Sequence, residues 1–358
     1  MMRRRVVPVA ALILVACLGR LPSGTGARAF GAALPERLTD QEFWKISSEL
    51  SEPNGSFRSD NLLSNEVWLQ YVIPALTEVA KPGRAYMGVG PEQNFTYIVA
   101  LQPKMAFIVD IRRGNLDLHL MYKALFEMSA DRAEFVSRLF SKTRPDGVGP
   151  KSTAADLFAA YSKIDSSETL YRENLKAIDE RLAATHGFAL SPDDLQGIEY
   201  AYHAFFQYGP GLQYSSTGGV GGRGQPTYAD LMVATDAGGQ SRSYLSTEES
   251  FGFLKDLETR NLLIPVVGNF AGPKAIRAVG KYLKENGATV TAFYLSNVEQ
   301  YLVQDGIWRD FCDNVATLPL DETSTFIRSV RGGRYGQQFG FGLSSTLGAM
   351  AAEVKSCQ

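Results

Sequence analysis

Residues 83–110 constrain the fold of this 358-residue chain more than any other segment. They predict a short apolar strand that stops at the glycine pair Gly88 and Gly90, a helix that begins near Pro91, and an unbroken apolar strand that ends at Asp110. In doubly wound sheets a nucleotide-like ligand lies at such a glycine turn, and an acid about twenty residues further on binds its ribose hydroxyls. The segment therefore predicts an α/β fold with a nucleoside-binding crevice.

The turn differs from that of dinucleotide-binding proteins. Glu92 and Gln93 stand where the dinucleotide fingerprint has its third glycine. A helix start that carries side chains at these positions suits an adenosyl ligand without a pyrophosphate better than it suits NAD. The alternative is a βαβ turn with a purely structural role, because many turns after strands contain glycine.

Composition places the chain among ordinary globular proteins, with 45% hydrophobic and 21% charged residues. The net charge of −2 gives no support for a nucleic-acid partner, which needs a basic face. The sequence has three histidines and no CxxC pair, so it indicates no metal site. Cys312 and Cys357 could form one disulfide or remain two free thiols.

The N-terminal segment, residues 1–29, has the pattern of an export leader. A basic start is followed by an apolar run of signal-peptide length at 6–16, too short to span a bilayer. The four residues that end at Cys17 resemble a bacterial lipobox, which predicts lipidation of Cys17; ordinary cleavage after Ala29 is the alternative. We expect an exported protein, periplasmic or anchored to the membrane as a lipoprotein, rather than a cytoplasmic protein with an uncleaved leader.

Beyond the leader, the pattern alternates between α/β and helical segments. Thr39 is the predicted N-cap of a first helix, with Glu42 three residues on. The glycine-rich stretch at 208–225 is interpreted as a lid or linker rather than a phosphate cradle. The predicted divisions are 34–141 (N-terminal helices and the first half of the sheet), 142–260 (a helical insertion with the glycine-rich loop), 261–331 (the second half of the sheet) and 332–358 (a loose glycine-rich tail).

Tyr86–Gly90 and Phe107–Asp110 resemble the glycine loop and the second strand of the class I S-adenosylmethionine-dependent transferases, a methyltransferase-like superfamily. The resemblance implies a Rossmann-like, doubly wound sheet, here with a mostly helical insertion. It also implies S-adenosylmethionine as the cofactor.

A weaker similarity narrows the activity. Residues 110–126, 135–140 and 295–302 are similar to the family that transfers a 3-amino-3-carboxypropyl group from S-adenosylmethionine to diacylglycerol. The similarity implies transfer of a methyl or aminocarboxypropyl group to a small-molecule or lipid acceptor. An uncharacterised branch of exported bacterial proteins with the same fold is the alternative.

Carried onto this sequence, the resemblance gives a set of cofactor contacts. Tyr86 is a departure, because many class I transferases have an acid at that position. A second departure is a cationic residue after the ribose acid, which would favour a carboxylate or phosphate on the ligand. The implied cofactor-binding residues are Gly88, Gly90, Glu92, Asn94, Asp110 and Arg112.

The acceptor pocket is expected at the carboxyl ends of the later strands. Its candidates are Asn269, Ser296, Asn297 and Tyr301. Asn269 could instead be a turn residue, and Ser296-Asn297 could instead cap a helix. No residue is assigned as catalytic.

Export and cofactor use conflict, because S-adenosylmethionine is a cytoplasmic metabolite. Two hypotheses follow. The first is a transferase-like enzyme. The second is an exported, membrane-anchored lipoprotein that keeps the fold as a binding or scaffold module without catalysis.

Overall fold

A six-stranded sheet organises the part of the chain that a computed structural model describes, residues 33–215, 225–331 and 343–357. The strands are β1 (Ala85–Gly88), β2 (Met105–Asp110), β3 (Leu263–Val267), β4 (Val290–Ser296), β5 (Thr325–Arg331) and β6 (Leu343–Ala349). Their order is β3-β2-β1-β4-β5-β6, with the first five parallel and β6 antiparallel to β5. The predicted α/β class is confirmed.

The three strands β1, β2 and β3 are buried along their whole length. Parallel strands that are covered on both faces need apolar side chains in every position, and this explains the unbroken apolar runs in the sequence. The chain leaves β1 toward β2 and β3 on one side, and β4 and β5 lie on the other. The carboxyl ends of β1 and β4 therefore flank the point where the strand order reverses, which is the usual ligand position in open α/β sheets.

Fourteen α-helices lie in the described residues, and seven of them separate β2 from β3. α4 connects this helical segment to the sheet, since it packs against β3 as well as α8 and α10. The helices are α1 (Asp40–Leu50), α2 (Ile73–Val79), α3 (Gln93–Leu101), α4 (Arg113–Met128), α5 (Arg132–Leu139), α6 (Ala154–Tyr161), α7 (Glu168–Asp179), α8 (Pro192–Tyr208), α9 (Tyr228–Val233), α10 (Glu248–Thr259), α11 (Ala275–Glu285), α12 (Val298–Gln304), α13 (Trp308–Val315) and α14 (Met350–Cys357).

The start of α1 agrees with the sequence prediction, and the start of α3 lies two residues later than predicted. Thr39 caps α1 in a capping box: its hydroxyl accepts from the Glu42 N–H, and the Glu42 carboxylate accepts from the Thr39 N–H. α3 begins at Gln93 rather than near Pro91, because the three residues from Gly90 onward form a turn that the Asn94 side chain holds.

The C-terminal segment corrects the expectation of a loose tail at 332–358. Residues 343–357 form β6 and α14, while 332–342 lie outside the described residues. A disulfide between Cys312 and Cys357 joins α14 to α13, and Arg328 of β5 forms an ion pair with Glu353. Thr346 is the one β-branched residue of β6 and no aromatic residue occurs in it, so its composition marks a strand only weakly.

The predictions for the leader (1–29), including Cys17, lie outside the described residues, as do those for residues 216–224 of the glycine-rich loop. Within the described ranges, no helix is both long enough and apolar enough to cross a membrane.

Candidate functional site

A cavity of about 220 Å³ opens at the carboxyl edge of the sheet, at the point where the strand order reverses. Residues from before β1 and after β1, β2, β3 and β4 form its wall. The structure brings seven of the residues singled out in the sequence to this wall: Gly90, Asp110, Arg112, Asn269, Ser296, Asn297 and Tyr301. Gly88, Glu92 and Asn94 lie behind it and do not line the cavity.

Asn94 shapes the glycine turn from behind. Its side-chain amide donates to the carbonyl oxygens of Val89 (2.9 Å), Gly90 (3.2 Å) and Pro91 (2.7 Å). Its Oδ1 accepts from the Tyr86 hydroxyl at 2.9 Å. This gives the aromatic residue at position 86 a structural role: its hydroxyl orients the amide that holds the turn.

Gly88 and Gly90 are each required to be glycine, but for different physical reasons. A Cβ at Gly88 would lie 1.9 Å from the Asn94 Oδ1, so only glycine lets the amide reach under the turn. Gly90 has a φ of +77°, a conformation that L side chains rarely adopt. Its carbonyl oxygen accepts from the His119 Nε2 at 2.9 Å. Burial lowers the pKa of His119 to about 4, so the ring is neutral and carries its proton on Nε2.

Glu92 supports the turn and is not a cavity residue. Its side chain is buried, and its Oε1 accepts from the Ser64 N–H at 3.2 Å. Burial raises its pKa to about 8, and the nearby Glu66 carboxyl adds to the rise. At neutral pH Glu92 is therefore mostly protonated.

Asp110 lies at the end of β2 and lines the cavity beside Arg112. Its Oδ1 accepts from the Arg112 backbone N–H at 2.9 Å, and its Oδ2 lies 3.3 Å from the Arg112 Nη2. Arg112 also donates to the Asp60 carbonyl oxygen. A carboxylate accepts about four hydrogen bonds, so Asp110 keeps acceptor capacity on the cavity side.

The opposite wall comes from the ends of β3 and β4. Asn269 is a turn residue that also lines the cavity: its Oδ1 accepts from the Ala271 N–H at 2.9 Å. Asn297 occupies the N-cap position of α12 but makes no side-chain capping bond. Ser296 has a φ of +50° and donates from its hydroxyl to the Glu66 Oε1 at 2.7 Å. Asn269 is thus a turn residue and Asn297 lies at a helix N-cap position, as the alternatives from the sequence expected. Both residues also line the cavity.

Tyr301 lies at the mouth of the cavity. Its hydroxyl accepts from the Arg58 Nη2 at 2.7 Å, and the Phe57 ring packs edge-on against it at 5.2 Å between centroids. Phe57 also lines the cavity, so the segment before β1 closes one side of the mouth.

Glu66 is a cavity residue that the sequence reasoning missed. It is 1% exposed, and its Oε1 accepts from the hydroxyls of Tyr294 and Ser296. Burial raises its pKa, and the hydrogen bonds it accepts offset only part of that rise. A signal was present: Glu66 is the one charged residue between Asn61 and Ile73. A lone acid in an otherwise uncharged run is rarely buried without a function.

The structure defines a mixed α/β protein with a cavity at the switch point of a mostly parallel sheet. The chain belongs to a family described as a domain of unknown function, DUF7790, whose model matches residues 62–203 and 214–347. The matched ranges include most of the cavity wall. No curated protein matches the chain.

Proposed function

We propose that the cavity binds an adenosyl ligand, with S-adenosylmethionine as the cofactor, and that the protein transfers a methyl or aminocarboxypropyl group from it to an acceptor. The observation that carries the proposal is the meeting of Gly90 and Asp110 on one cavity wall. Gly90 follows β1 and Asp110 ends the neighbouring parallel strand β2, the arrangement in which a glycine turn and an acid bind a nucleoside.

The finer fold assignment belongs to the same proposal. A Rossmann-like, class I methyltransferase-like sheet is supported by the order β3-β2-β1-β4-β5, all parallel, with α3 connecting β1 to β2. The antiparallel β6 extends this core at one edge.

Cavity size favours an adenosyl group over a dinucleotide. Ligand pockets usually have volumes of about 300–1,000 Å³. This cavity, at about 220 Å³, lies below that range. It suits one nucleoside with a short substituent.

The residues present fit such a ligand. Asp110 would accept from the ribose hydroxyls, and the Gly90 turn leaves room for the ligand to approach the backbone. Bound S-adenosylmethionine would supply an electrophilic carbon beside a sulfonium. The wall formed by Asn269, Asn297 and Tyr301 would position the acceptor, and such alignment is the main contribution a protein makes to this kind of transfer.

The second candidate is an exported, membrane-anchored binding or scaffold lipoprotein without catalysis. One observation favours it: Arg112 already contacts both oxygens of Asp110, so a ribose must share or displace an existing ion pair. On this alternative the cavity holds a ligand and performs no chemistry.

Calorimetry on the purified full-length protein tests the proposal. We expect S-adenosylmethionine to bind, and Asp110→Asn to weaken binding about 10- to 100-fold, because a charged acceptor is lost. Asp256→Asn is the matched control, since Asp256 lies in α10 and pairs with Arg260 outside the cavity. Absence of heat at millimolar ligand from a folded protein would refute the proposal.

Product analysis separates the two candidates. Slow conversion of S-adenosylmethionine to S-adenosylhomocysteine or methylthioadenosine, lost in Asp110→Asn, supports a transferase. Tight binding with no conversion in the presence of lipid extracts supports the binding module.

A further inference from the structure

The inner wall of the cavity carries hydrogen-bond acceptors that have no donor. Glu66 Oε2, Gln93 Oε1 and Asn61 Oδ1 are buried and have no hydrogen-bond partner within 3.5 Å among the described residues, although the Ser329 hydroxyl lies close enough to Glu66 to lower the pKa of its carboxyl. All three residues line the same cavity. Buried polar atoms in folded proteins nearly always have partners, so three unpaired acceptors in the lining of one cavity indicate a ligand that donates hydrogen bonds.

The hydrogen-bond network fixes which atoms face the missing donor. The single hydroxyl hydrogen of Tyr294 goes to the Glu66 Oε1, so this hydroxyl must accept from the Gln93 amide nitrogen, at 2.8 Å. The Gln93 Oε1 is therefore left as an acceptor. Ser296 uses its hydrogen on the same Glu66 oxygen. These hydroxyls have no further hydrogen to offer the cavity.

Most of the charged residues that line the cavity are acidic, and acidic side chains, like the unpaired acceptors, favour a ligand that donates hydrogen bonds. The acidic lining residues are Glu66, Asp110 and Asp305, and the one basic lining residue, Arg112, is already bound to Asp110 and Asp60. No lysine or arginine of the described residues forms an ion pair with Glu66. The titratable groups that face Glu66 are Tyr86 of β1, Tyr97 of α3, Tyr294 of β4 and Glu92, none of them cationic.

We propose that Glu66, with Gln93 and Asn61, binds a protonated primary amine of the ligand. An ammonium group has three N–H donors and no acceptor, which matches three acceptors without donors. Its charge supplies the counter-ion that the buried carboxyl lacks. The proposal rests on the adenosyl ligand proposed above and specifies the other end of that ligand: Asp110 binds the ribose, and Glu66 binds an amine on the substituent.

Three nucleosides test the proposal by calorimetry on the full-length protein. S-adenosylhomocysteine has the amine and no sulfonium, S-adenosylmethionine has both, and methylthioadenosine has neither. We expect Glu66→Gln to weaken the first two about tenfold or more and to change methylthioadenosine binding less than about twofold. Asp110→Asn should weaken all three.

Glu258→Gln is the matched control. Glu258 is also 1% exposed with an unpaired carboxyl oxygen, but it does not line the cavity. It should leave all three affinities unchanged. Thermal unfolding of each variant confirms that the protein is folded, and the isosteric glutamine keeps the contacts that Glu66 Oε1 accepts.

Proton release gives a second readout. Burial raises the pKa of Glu66, whereas a bound ammonium favours the ionised carboxylate, so binding an amine should lower this pKa. Titrations in two buffers of different ionisation enthalpy, from about pH 5 to pH 8, should show protons released on binding S-adenosylhomocysteine. Glu66→Gln should abolish this release.

Four results would overturn the proposal. An unchanged affinity in Glu66→Gln would show that Glu66 does not contact the amine. An equal loss for all three nucleosides would show that Glu66 has a structural role. A loss for S-adenosylmethionine alone places the carboxyl beside the sulfonium instead. If the wild-type protein binds none of the three, the proposed function fails and the amine site fails with it.

Discussion

Two buried groups of charged residues in this molecule differ in one respect: one contains its own counter-ions and the other does not. The paired cluster, formed by Lys123, Glu127, His186 and Asp40, lies where α1 meets α4. Its ion pairs join Lys123 Nζ to Glu127 Oε1 (2.8 Å), His186 Nε2 to Glu127 Oε2 (2.6 Å) and His186 Nδ1 to Asp40 Oδ1 (2.8 Å). The other group consists of Glu66, which lines the cavity, and Glu92, which lies behind its wall; neither has a cationic partner among the described residues.

The difference appears in the pKa values. Burial alone would raise the pKa of Glu127, but His186 and Lys123 outweigh it and the pKa is lowered. Burial opposes the charged form of His186, yet Glu127 and Asp40 raise its pKa, and both ring nitrogens face carboxylates. Both Glu66 and Glu92 instead have raised pKa values. The paired cluster thus holds cations beside its carboxylates, whereas Glu66 and Glu92 have no cationic neighbour in the described part of the chain; on the proposal above, the ligand supplies the counter-ion of Glu66.

The largest effect is expected in the paired cluster. Lys123 and Glu127 side chains are 1% and 6% exposed. Lys123→Met leaves a buried carboxylate with less compensation, so we expect a loss of about 3–5 kcal/mol in the free energy of unfolding. Urea unfolding at pH 7 measures it. A loss below about 1 kcal/mol would mean that the cluster is not internally compensated.

Glu92→Gln should act in the opposite direction. A carboxyl with a raised folded pKa binds more protons when folded than when unfolded, so its cost grows as the pH rises from 4.5 to about 8. The variant should gain on the order of 2 kcal/mol over the wild type at pH 8 and nothing at pH 4. Urea unfolding across this range measures the gain, and a gain that is the same at every pH would contradict the assignment.

His186→Gln should produce a smaller, pH-dependent loss. A base with a raised folded pKa adds stability below its unfolded pKa, near 6.5, and that stability is lost as the pH rises through the folded pKa. We expect the variant to lose about 1–2 kcal/mol at pH 6 and less at pH 9. A loss that grows with pH would show that the ring is neutral in the folded protein.

The smallest effect is expected at an exposed pair of the same type. Lys281 and Glu285 are four residues apart on α11, with side chains 74% and 58% exposed. Lys281→Met should change the free energy of unfolding by less than about 0.5 kcal/mol. This variant calibrates the Lys123→Met result, since both are Lys–Glu pairs four residues apart on a helix, but the Lys123–Glu127 pair is buried and shares Glu127 with His186.

The sequence predicts the local elements better than the details of the site. The apolar runs predict β1 to β4 because strands covered on both faces need such residues. β6 is not predicted from the sequence, because its pairing with β5, and not its composition, makes it a strand. Asn94 is placed at the right turn, but the sequence does not show that its amide donates to the carbonyl oxygens of that turn while its oxygen accepts from the Tyr86 hydroxyl, eight residues earlier.

The sequence marks Glu66 only as the one charged residue in an uncharged run, and it does not predict the contacts of its carboxyl. Its charge stands out in an uncharged run, but its contacts come from Tyr294 and Ser296, more than two hundred residues later in the chain. A single sequence does not show which distant hydroxyls meet an acid.

The strand order also has a consequence for synthesis on the ribosome. Met87 of β1 pairs on one side with Phe107 and on the other with Phe293. One edge of β1 gains its partner soon after it emerges, but the other waits about 200 residues, roughly 10 to 40 s at usual elongation rates. During that interval an apolar strand edge is open to other chains. Truncated products that end before Val290 are therefore expected to aggregate, and chaperones that cover this edge should raise the yield of folded protein.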